Sequence, residues 1–259
     1  MDDYRIVLVL KNEIEAQLLA SVLRERNIPH LLKSYHDYAL DGIFQIQKGW
    51  GHLEAPERHH RKIINIYRDI SETNFGQPFH DTFDTRFGSM GIVWFGADTS
   101  LQIHEIVLPG DEDGTVARIH KHYPASQSGR SGIISGLEDK IQKNLQGKAV
   151  HFDLDLFNLE ICTTFQKRVL LAEYEIPRGS VSTYGRIARF LDKPGASRAV
   201  GGALANNPFP IVIACHRAVQ SDGSLGGYQG GVEMKMQLLE MEGLTIRNDR
   251  VIVDRFYYD

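Results

Sequence analysis

Cys215-His216-Arg217 is the place in the 259-residue chain where a soft nucleophile and a titratable base are adjacent. A free cysteine ionises near pH ~8.5, so a thiolate at neutral pH needs a base or a positive charge nearby. His216 is the adjacent candidate base. Neighbouring side chains on an extended segment point apart, so direct contact between His216 and Cys215 is not expected. That spacing, with its flanking blocks, speaks against a cysteine hydrolase. Cys162 lies outside any motif and reads as a buried, inert thiol.

The elements that must position this pair can be read on either side of it. Phe165, Val169, Ala172 and Ile176 form a helical stripe that Pro177-Arg178-Gly179 stops. Ser182-Thr183 can cap a helix over 184–191, and Asp192-Lys193-Pro194-Gly195 is a turn. A second helix is expected over 196–206, so the two make a helix-turn-helix candidate. Val232, Met236 and Leu239 mark a last amphipathic helix ending at Glu242, 26 positions after His216.

With these blocks in view, the segment resembles the O6-alkylguanine-DNA alkyltransferase family. The resemblance rests on Asn207-Pro208 followed by an apolar run into Cys215-His216-Arg217, on Thr183-Tyr184-Gly185-Arg186-Ile187-Ala188, and on Ser197-Arg198-Ala199-Val200-Gly201-Gly202-Ala203. The Gly-rich Gly223 to Gly231 stretch, Lys235 and Leu238 to Glu242 extend it, and the spacing between blocks also fits. The match is strong over 163–243 and reaches back more weakly to about 80.

The resemblance implies that Cys215 takes the alkyl group and that a water links it to His216, which Glu242 orients. A thiolate suits displacement from an oxygen leaving group, and the thioether product is not readily hydrolysed, so one molecule acts once. Tyr184 would donate a proton or hydrogen bond to the leaving base, and Asn207 would support the reactive loop. Arg198 would enter the base stack, with Thr183, Ala199 and Gly201 at the DNA. Ala218, Tyr228 and Gln229 would line the pocket for the flipped base, which must leave the duplex to react. Small residues from Ala196 to Ala205 give the second helix a smooth face. The chain departs from the family at Ala214, where proline is usual, and at Ala218, where valine is usual. The departures put rate and substrate size in question, and loss of proline's fixed φ before Cys215 could loosen the nucleophile. They also motivate a second reading, a sensor that binds alkylated bases without transfer and recruits repair partners. The implied partner is double-stranded DNA carrying O6-alkylguanine, with no cofactor and no metal.

Composition is that of an ordinary globular protein, 42% hydrophobic and 24% charged. Apolar runs such as Ile6 to Leu10 fall far short of the ~20 residues that span a bilayer. No secretory leader is visible, and two cysteines cannot build a disulfide framework, so a reducing, cytoplasmic compartment is expected, nucleoid-associated or nuclear. Net charge is −4, yet Arg178, Arg186, Arg189, Lys193, Arg198 and Arg217 face only Asp192 within 178–217, a modest phosphate footprint. His52, His59, His60 and His80 match no zinc spacing and read as packing or solvated side chains.

The expected fold is α+β in three units. Residues 1–71 read as a small α/β accessory unit, for which a ferredoxin-like arrangement is one solution, able to meet a protein partner. A strand at Ile6 to Leu10 precedes a helix carrying Ile14, Leu18, Val22 and Leu23 and ended by Asn27-Ile28-Pro29; a second helix spans about 58–70. These residues resemble small signalling or regulatory domains. After a linker at Asn74 to Pro78, residues 80–156 should hold a hairpin of Gly91 to Phe95 and Leu101 to Leu108, then a loop from Pro109 to Gly114. A helix with Ile134, Leu137, Ile141 and Leu145 and a strand over 152–156 follow. Residues 163–245 are the mostly helical third unit.

Overall fold

The structure, a computed structural model, describes residues 3–10, 13–34, 51–97, 100–110 and 114–258. The first unit runs β1 (Tyr4–Leu10), α1 (Glu13–Glu25), β2 (Leu31–Ser34), β3 (Gly51–Pro56) and α2 (His60–Phe75). Its sheet has the order β1-β3-β2 with antiparallel neighbours. That is a βαββα pattern: the last strand of a ferredoxin-like βαββαβ is missing, because after α2 the chain enters another sheet. The helix α1 buries Ala16, Leu19, Ala20 and Leu23, so its inward face lies beside the expected Leu18 and Val22, which are half-buried. Asn27, at φ 52°, ends it in the left-handed conformation asparagine tolerates.

The expected linker at 74–78 is shorter than the sequence suggests. Helix α2 continues to Phe75, and β4 (Pro78–Thr85) starts after Gly76-Gln77. Strand β4 escapes sequence reading because its alternating residues are largely polar, Phe-His-Asp-Thr-Phe-Asp-Thr. It pairs with β5 (Gly88–Phe95), which pairs with β6 (Gln102–Val107), the two strands of the expected hairpin. Asp98, Thr99 and 111–113 of the expected turn and loop lie outside the described residues. Helix α3 (Gly114–His122), not foreseen in the sequence, and the short β7 (Gln127–Ser128), parallel to β4, complete this layer.

Helix α4 (Gly132–Leu145) forms as its spacing predicts. Ser131 caps it by accepting from the Ile133 amide at 3.2 Å, and Ile134, Leu137, Ile141 and Leu145 are all buried. The strand expected over 152–156 is instead a 3-10 turn at Leu154–Leu156, where the Asp153 side chain accepts from the Asp155 amide. Local Asx bonding outcompetes the alternating pattern there.

The third unit contains α5 (Thr164–Tyr174), β8 (Ser182–Thr183), α6 (Tyr184–Phe190), α7 (Ser197–Ala205), β9 (Ala218–Val219) and α8 (Gly231–Met241). Its core is continuous with that of α4 and β4 to β6 through Phe83, Trp94, Ile134, Val169, Ile187 and Phe209. The core of residues 8–67 is a separate cluster. After α8, β10 (Thr245–Arg247) and β11 (Arg250–Ile252) make a hairpin across Asn248 and Asp249, both at positive φ. The tail then docks on α6. Ser182 donates to the Tyr257 carbonyl at 2.7 Å, Tyr258 donates to the Ala172 carbonyl at 2.8 Å, and its ring stacks on Phe190 at 4.0 Å. Among the described residues no helix is long and apolar enough to cross a membrane.

Ile141 is fully buried in the core shared by the second and third units. Ile141→Ala is expected to lower unfolding free energy by about 2–5 kcal/mol, measurable by urea denaturation. A loss under ~1 kcal/mol would show that α4 does not support the core.

Candidate active site

The reactive segment is held by backbone turns rather than by the short strand expected before Cys215. Pro210 bridges Ile213, and Ile211 between them has φ 72°. That conformation is strained for a β-branched residue, on the order of 1–3 kcal/mol, and Ile211 is buried in it. Asn207 secures the turn: its Nδ2 donates to the Ile213 carbonyl at 2.9 Å, and its Oδ1 accepts from the Phe209 amide at 2.9 Å. The Cys215 amide donates to the Ile213 carbonyl at 2.8 Å. Cys215 thus opens a single 3-10 turn, Cys215–Arg217, and is not on an extended segment. Ala214 has φ −76°, inside the range proline would fix, so the departure at this position leaves the backbone angle intact.

A two-residue parallel bridge ties this turn to the helix pair above it, with Ser182 opposite Ala218 and Thr183 opposite Val219. Helix α6 starts at the bridge and α7 follows after the 192–195 turn. The Tyr184 ring reaches down between α7 and the glycine-rich loop. A Cβ on Gly226 would lie 3.1 Å from the Tyr184 hydroxyl, and Gly226 also holds φ +68°, so glycine is required on both counts. Burial, then the charges of Glu173 and Cys215, push the Tyr184 phenol upward, which keeps it a protonated donor.

His216 is 2% exposed, and its Nε2 lies 3.0 Å from Glu242 Oε1. A carboxylate only accepts, so Nε2 carries the proton and Nδ1 is the acceptor. Nδ1 has no hydrogen-bond partner among the described residues. Glu242 also receives Arg217 through Nε at 2.9 Å and Nη2 at 2.8 Å, and the Gly179 amide at 3.2 Å. Burial alone would raise the Glu242 carboxyl, but the bonds from His216 and Arg217 carry it down to about 2. Burial lowers His216 and Glu242 opposes it, so the imidazole is neutral at rest.

Cys215 is 5% exposed, and burial pushes its thiol up to about 12; the Asn207 hydrogen bond and the charge of Lys235 pull the other way, and Glu173 adds to the rise. At rest it is therefore a thiol. Cys162 is likewise buried, and pushed to about 12 by burial, as its lack of a motif suggested.

The other expected residues divide. Tyr228 is buried with its hydroxyl unpartnered among the described residues, and its ring meets that of His216 edge-on at 6.3 Å. Ala218 is fully buried, and its carbonyl accepts from Lys235 at 2.7 Å. Gln229 commits its amide hydrogens to the carbonyls of Ala205 and Asn207, at 2.8 and 2.9 Å, so it braces the end of α7. Thr183, expected at the DNA, is 2% exposed, and its hydroxyl caps α6 by accepting from the Arg186 amide. Arg198 and Ala199 are exposed on α7 and Gly201 is half-buried, and Arg198 has no hydrogen bond or ion pair among the described residues.

The basic footprint shrinks. Arg178 binds the Gly147 and Met241 carbonyls, Arg217 binds Glu242, and Arg186 lies over the Phe256 ring at 4.9 Å. Exposed Arg189, Lys193 and Arg198 remain. The stripe expected of α8 holds in part: Leu239 is buried and Met236 packs beside it, but Val232 is exposed, and Met234, Lys235 and Leu238 are buried instead because the inward face is rotated. Sequence reasoning missed Glu173, fully buried, although an acid beside Ala172 in an apolar stripe was a visible signal. His52 pairs with Glu54, His60 with the Ala55 carbonyl and His80 with Ser126, and the described residues hold no cluster fit for a metal.

A buried thiol set behind a pair of short helices defines the class of site, and comparison with known proteins gives the family. Residues 164–244 match the model of the 6-O-methylguanine DNA methyltransferase, DNA binding domain. The methylated-DNA–protein-cysteine methyltransferase of Methanothermobacter thermautotrophicus is 49% identical over 184 residues, 71% of this chain and 93% of that protein. That of Salmonella typhimurium is 35% identical over 162 residues, 61% of this chain and 92% of that protein. The crystal structure of Mycobacterium tuberculosis OGT in complex with DNA matches with a TM-score of 0.51 at 30% identity, covering 63% of this chain and 92% of that one. The chain belongs to the methylated-DNA–protein-cysteine methyltransferase family.

The Glu242 carboxyl, held at about 2 against 4.5, stabilises the fold above pH ~4.5, and the contribution is lost as pH falls towards 2. Glu242→Gln should therefore flatten the acid limb of stability between those values. It should also lower stability at pH 7 by about 3–5 kcal/mol, since Arg217 is left buried without its partner. Urea denaturation at pH 7 and pH 3 measures both effects, and an unchanged acid limb would contradict the assignment.

Proposed function

We propose that the protein repairs alkylated DNA by moving the alkyl group from O6 of guanine to Cys215 Sγ. The observation that carries this reading is the placement of His216: its proton faces Glu242, and its acceptor Nδ1 is buried without a hydrogen-bond partner among the described residues. The thiol proton passes to His216 through a bridging water, and Glu242 stabilises the imidazolium. The thiolate attacks the alkyl carbon, the C–O bond breaks and a C–S bond forms. Tyr184 donates a proton or hydrogen bond to the leaving guanine. The thioether is stable to water, so transfer is irreversible and each molecule turns over once.

The base must be extruded from the duplex to reach a thiol this deep. Arg198, exposed on α7 and unpaired among the described residues, is suited to fill the gap in the stack, with Ala199 and Gly201 allowing close approach. Asn207 holds the reactive turn, and Ala218 and Tyr228 line the base site with the loop that Gln229 braces. In this reading residues 80–156 and 163–245 act together over one core, and residues 1–71 are an accessory unit suited to a protein partner. The family's relatives act on DNA, and the same compartment as the genome follows.

Incubation with an oligonucleotide carrying O6-methylguanine, followed by intact mass, should show one added methyl group, on Cys215. Cys215→Ala should lose the gain and keep DNA affinity within about threefold, since the thiol makes no phosphate contact. Binding by the wild type without any mass gain would favour the sensor reading. Arg198→Ala should slow repair of duplex DNA far more than reaction with a free alkylguanine base, because extrusion costs a few kcal/mol only in the duplex. Equal slowing on both substrates would remove Arg198 from that role.

A further inference from the structure

Residues 245–258, which follow α8, touch both walls of the seat that holds Tyr184. One wall is the glycine-rich loop. A Cβ on Gly226 would lie 3.1 Å from the Tyr184 hydroxyl, so a small drift of this loop changes where the hydroxyl sits. The other wall is β8, which delivers the chain into α6 at Tyr184.

The β10–β11 hairpin grips the first wall. The Leu225 amide donates to the Asp249 carbonyl at 3.1 Å, and the Val251 amide donates to the Gly223 carbonyl at 2.9 Å. Ser224 bridges Arg250, and Arg250 pairs with Asp222 at 2.9 Å. Gly223 holds φ +83°, and a Cβ there would meet the Val251 carbonyl oxygen at 3.1 Å, so loop and hairpin approach backbone to backbone. The tail grips the second wall. The Tyr257 amide donates to the Val181 carbonyl at 2.8 Å, and Ser182, fully buried, donates to the Tyr257 carbonyl at 2.7 Å. Aromatic rings fasten it further. Phe256 lies under the Arg186 guanidinium at 4.9 Å, and Tyr258 stacks on Phe190 at 4.0 Å and donates to the Ala172 carbonyl of α5. Between the two grips Val181, Val219, Leu225, Leu239 and Val251 share a small core, with Val253 and Phe256 packed against it. A tail that only covered apolar surface would need burial alone. This one bonds to the loop and to β8, the two segments whose separation fixes Tyr184.

We propose that residues 245–258 are a strap that sets the distance between the glycine-rich loop and β8, and that Phe256 and Tyr258 are positioning residues which act on alkyl transfer through Tyr184. The inference rests on the transfer reading above, in which Tyr184 donates to the leaving guanine. A donor must meet the leaving atom within a narrow range of distance, and a displacement of about 1 Å costs up to ~100-fold in rate.

The test is the single-turnover rate of the full chain at saturating duplex carrying O6-methylguanine. It compares wild type, the double substitution Phe256→Ala with Tyr258→Ala, Tyr184→Phe, and all three changes together. Freeing the strap should slow transfer roughly tenfold when Tyr184 is present and less than about twofold when it is already Phe, since both changes act through one hydroxyl. Equal slowing in the two backgrounds, or none in either, overturns the proposal, the former indicating a role in stability alone. Hydrogen exchange gives a second reading. The freed strap should speed exchange over 220–227 as well as over 181–184, and a change confined to 181–184 overturns the proposal. If the double variant folds poorly, Ser182→Ala removes one bond of the strap at β8 and is measured in the same two backgrounds. A slowing of about threefold is then expected only where Tyr184 is present, and the same slowing in both, or none, overturns the proposal. A wild type that gains no methyl group from the duplex, with exchange rising over both segments when the strap is freed, refutes the transfer reading alone.

Discussion

The Glu242 carboxylate is the point on which the site closes. It sits just past α8 and gathers His216 Nε2, two nitrogens of Arg217 and the Gly179 amide. These donors come from the reactive turn and from the segment after α5, so three stretches of chain distant in sequence converge on one anion. A buried anion is tolerable only with such a full set of donors. The tautomer of His216 follows from it, and so does the path of Arg217, whose remaining Nη1 reaches the Ile176 carbonyl at 2.6 Å. Closing the fold and setting the base are the same event.

Around that point the structure withholds reactivity. The thiol is buried behind a strained turn, under a tyrosine that fits only because Gly226 leaves room. Exposed Arg198 and Ala199 sit apart from it on α7, where Arg198 has no hydrogen bond or ion pair among the described residues. The two-residue bridge between β8 and β9 connects these layers, joining the start of the helix pair to the residue that follows the reactive turn. Cys215 and the exposed face of α7 are therefore held in fixed relation, yet separately.

Much of this was legible in the sequence where one interaction dominates locally. The α4 stripe, the Thr183 cap and the turn at 192–195 are set by residues within a few positions of one another. What escaped depended on contacts far along the chain. Strand β4 has no apolar rhythm and exists because β5 pairs with it. The 152–156 segment alternates as a strand would, but Asp153 bonds its own backbone. Arg178 and Arg217 counted as free charge until the fold gave them carbonyl and carboxylate partners. The Cys-His pair could be recognised from the sequence, but the turn geometry that keeps them from lying along an extended strand could not. Glu173 lies beside Ala172 in an apolar stripe, a visible signal of burial, but the groups that enclose it come from far along the chain.

The depth of Cys215 has a further effect on how the molecule ages. Peroxides and other oxidants attack the thiolate, and susceptibility follows thiolate character and exposure. A thiol 5% exposed and pushed to about 12 offers neither. Cys162, buried and pushed equally high, offers no easier target. The burial that withholds the thiolate therefore also withholds both thiols of the chain from oxidants.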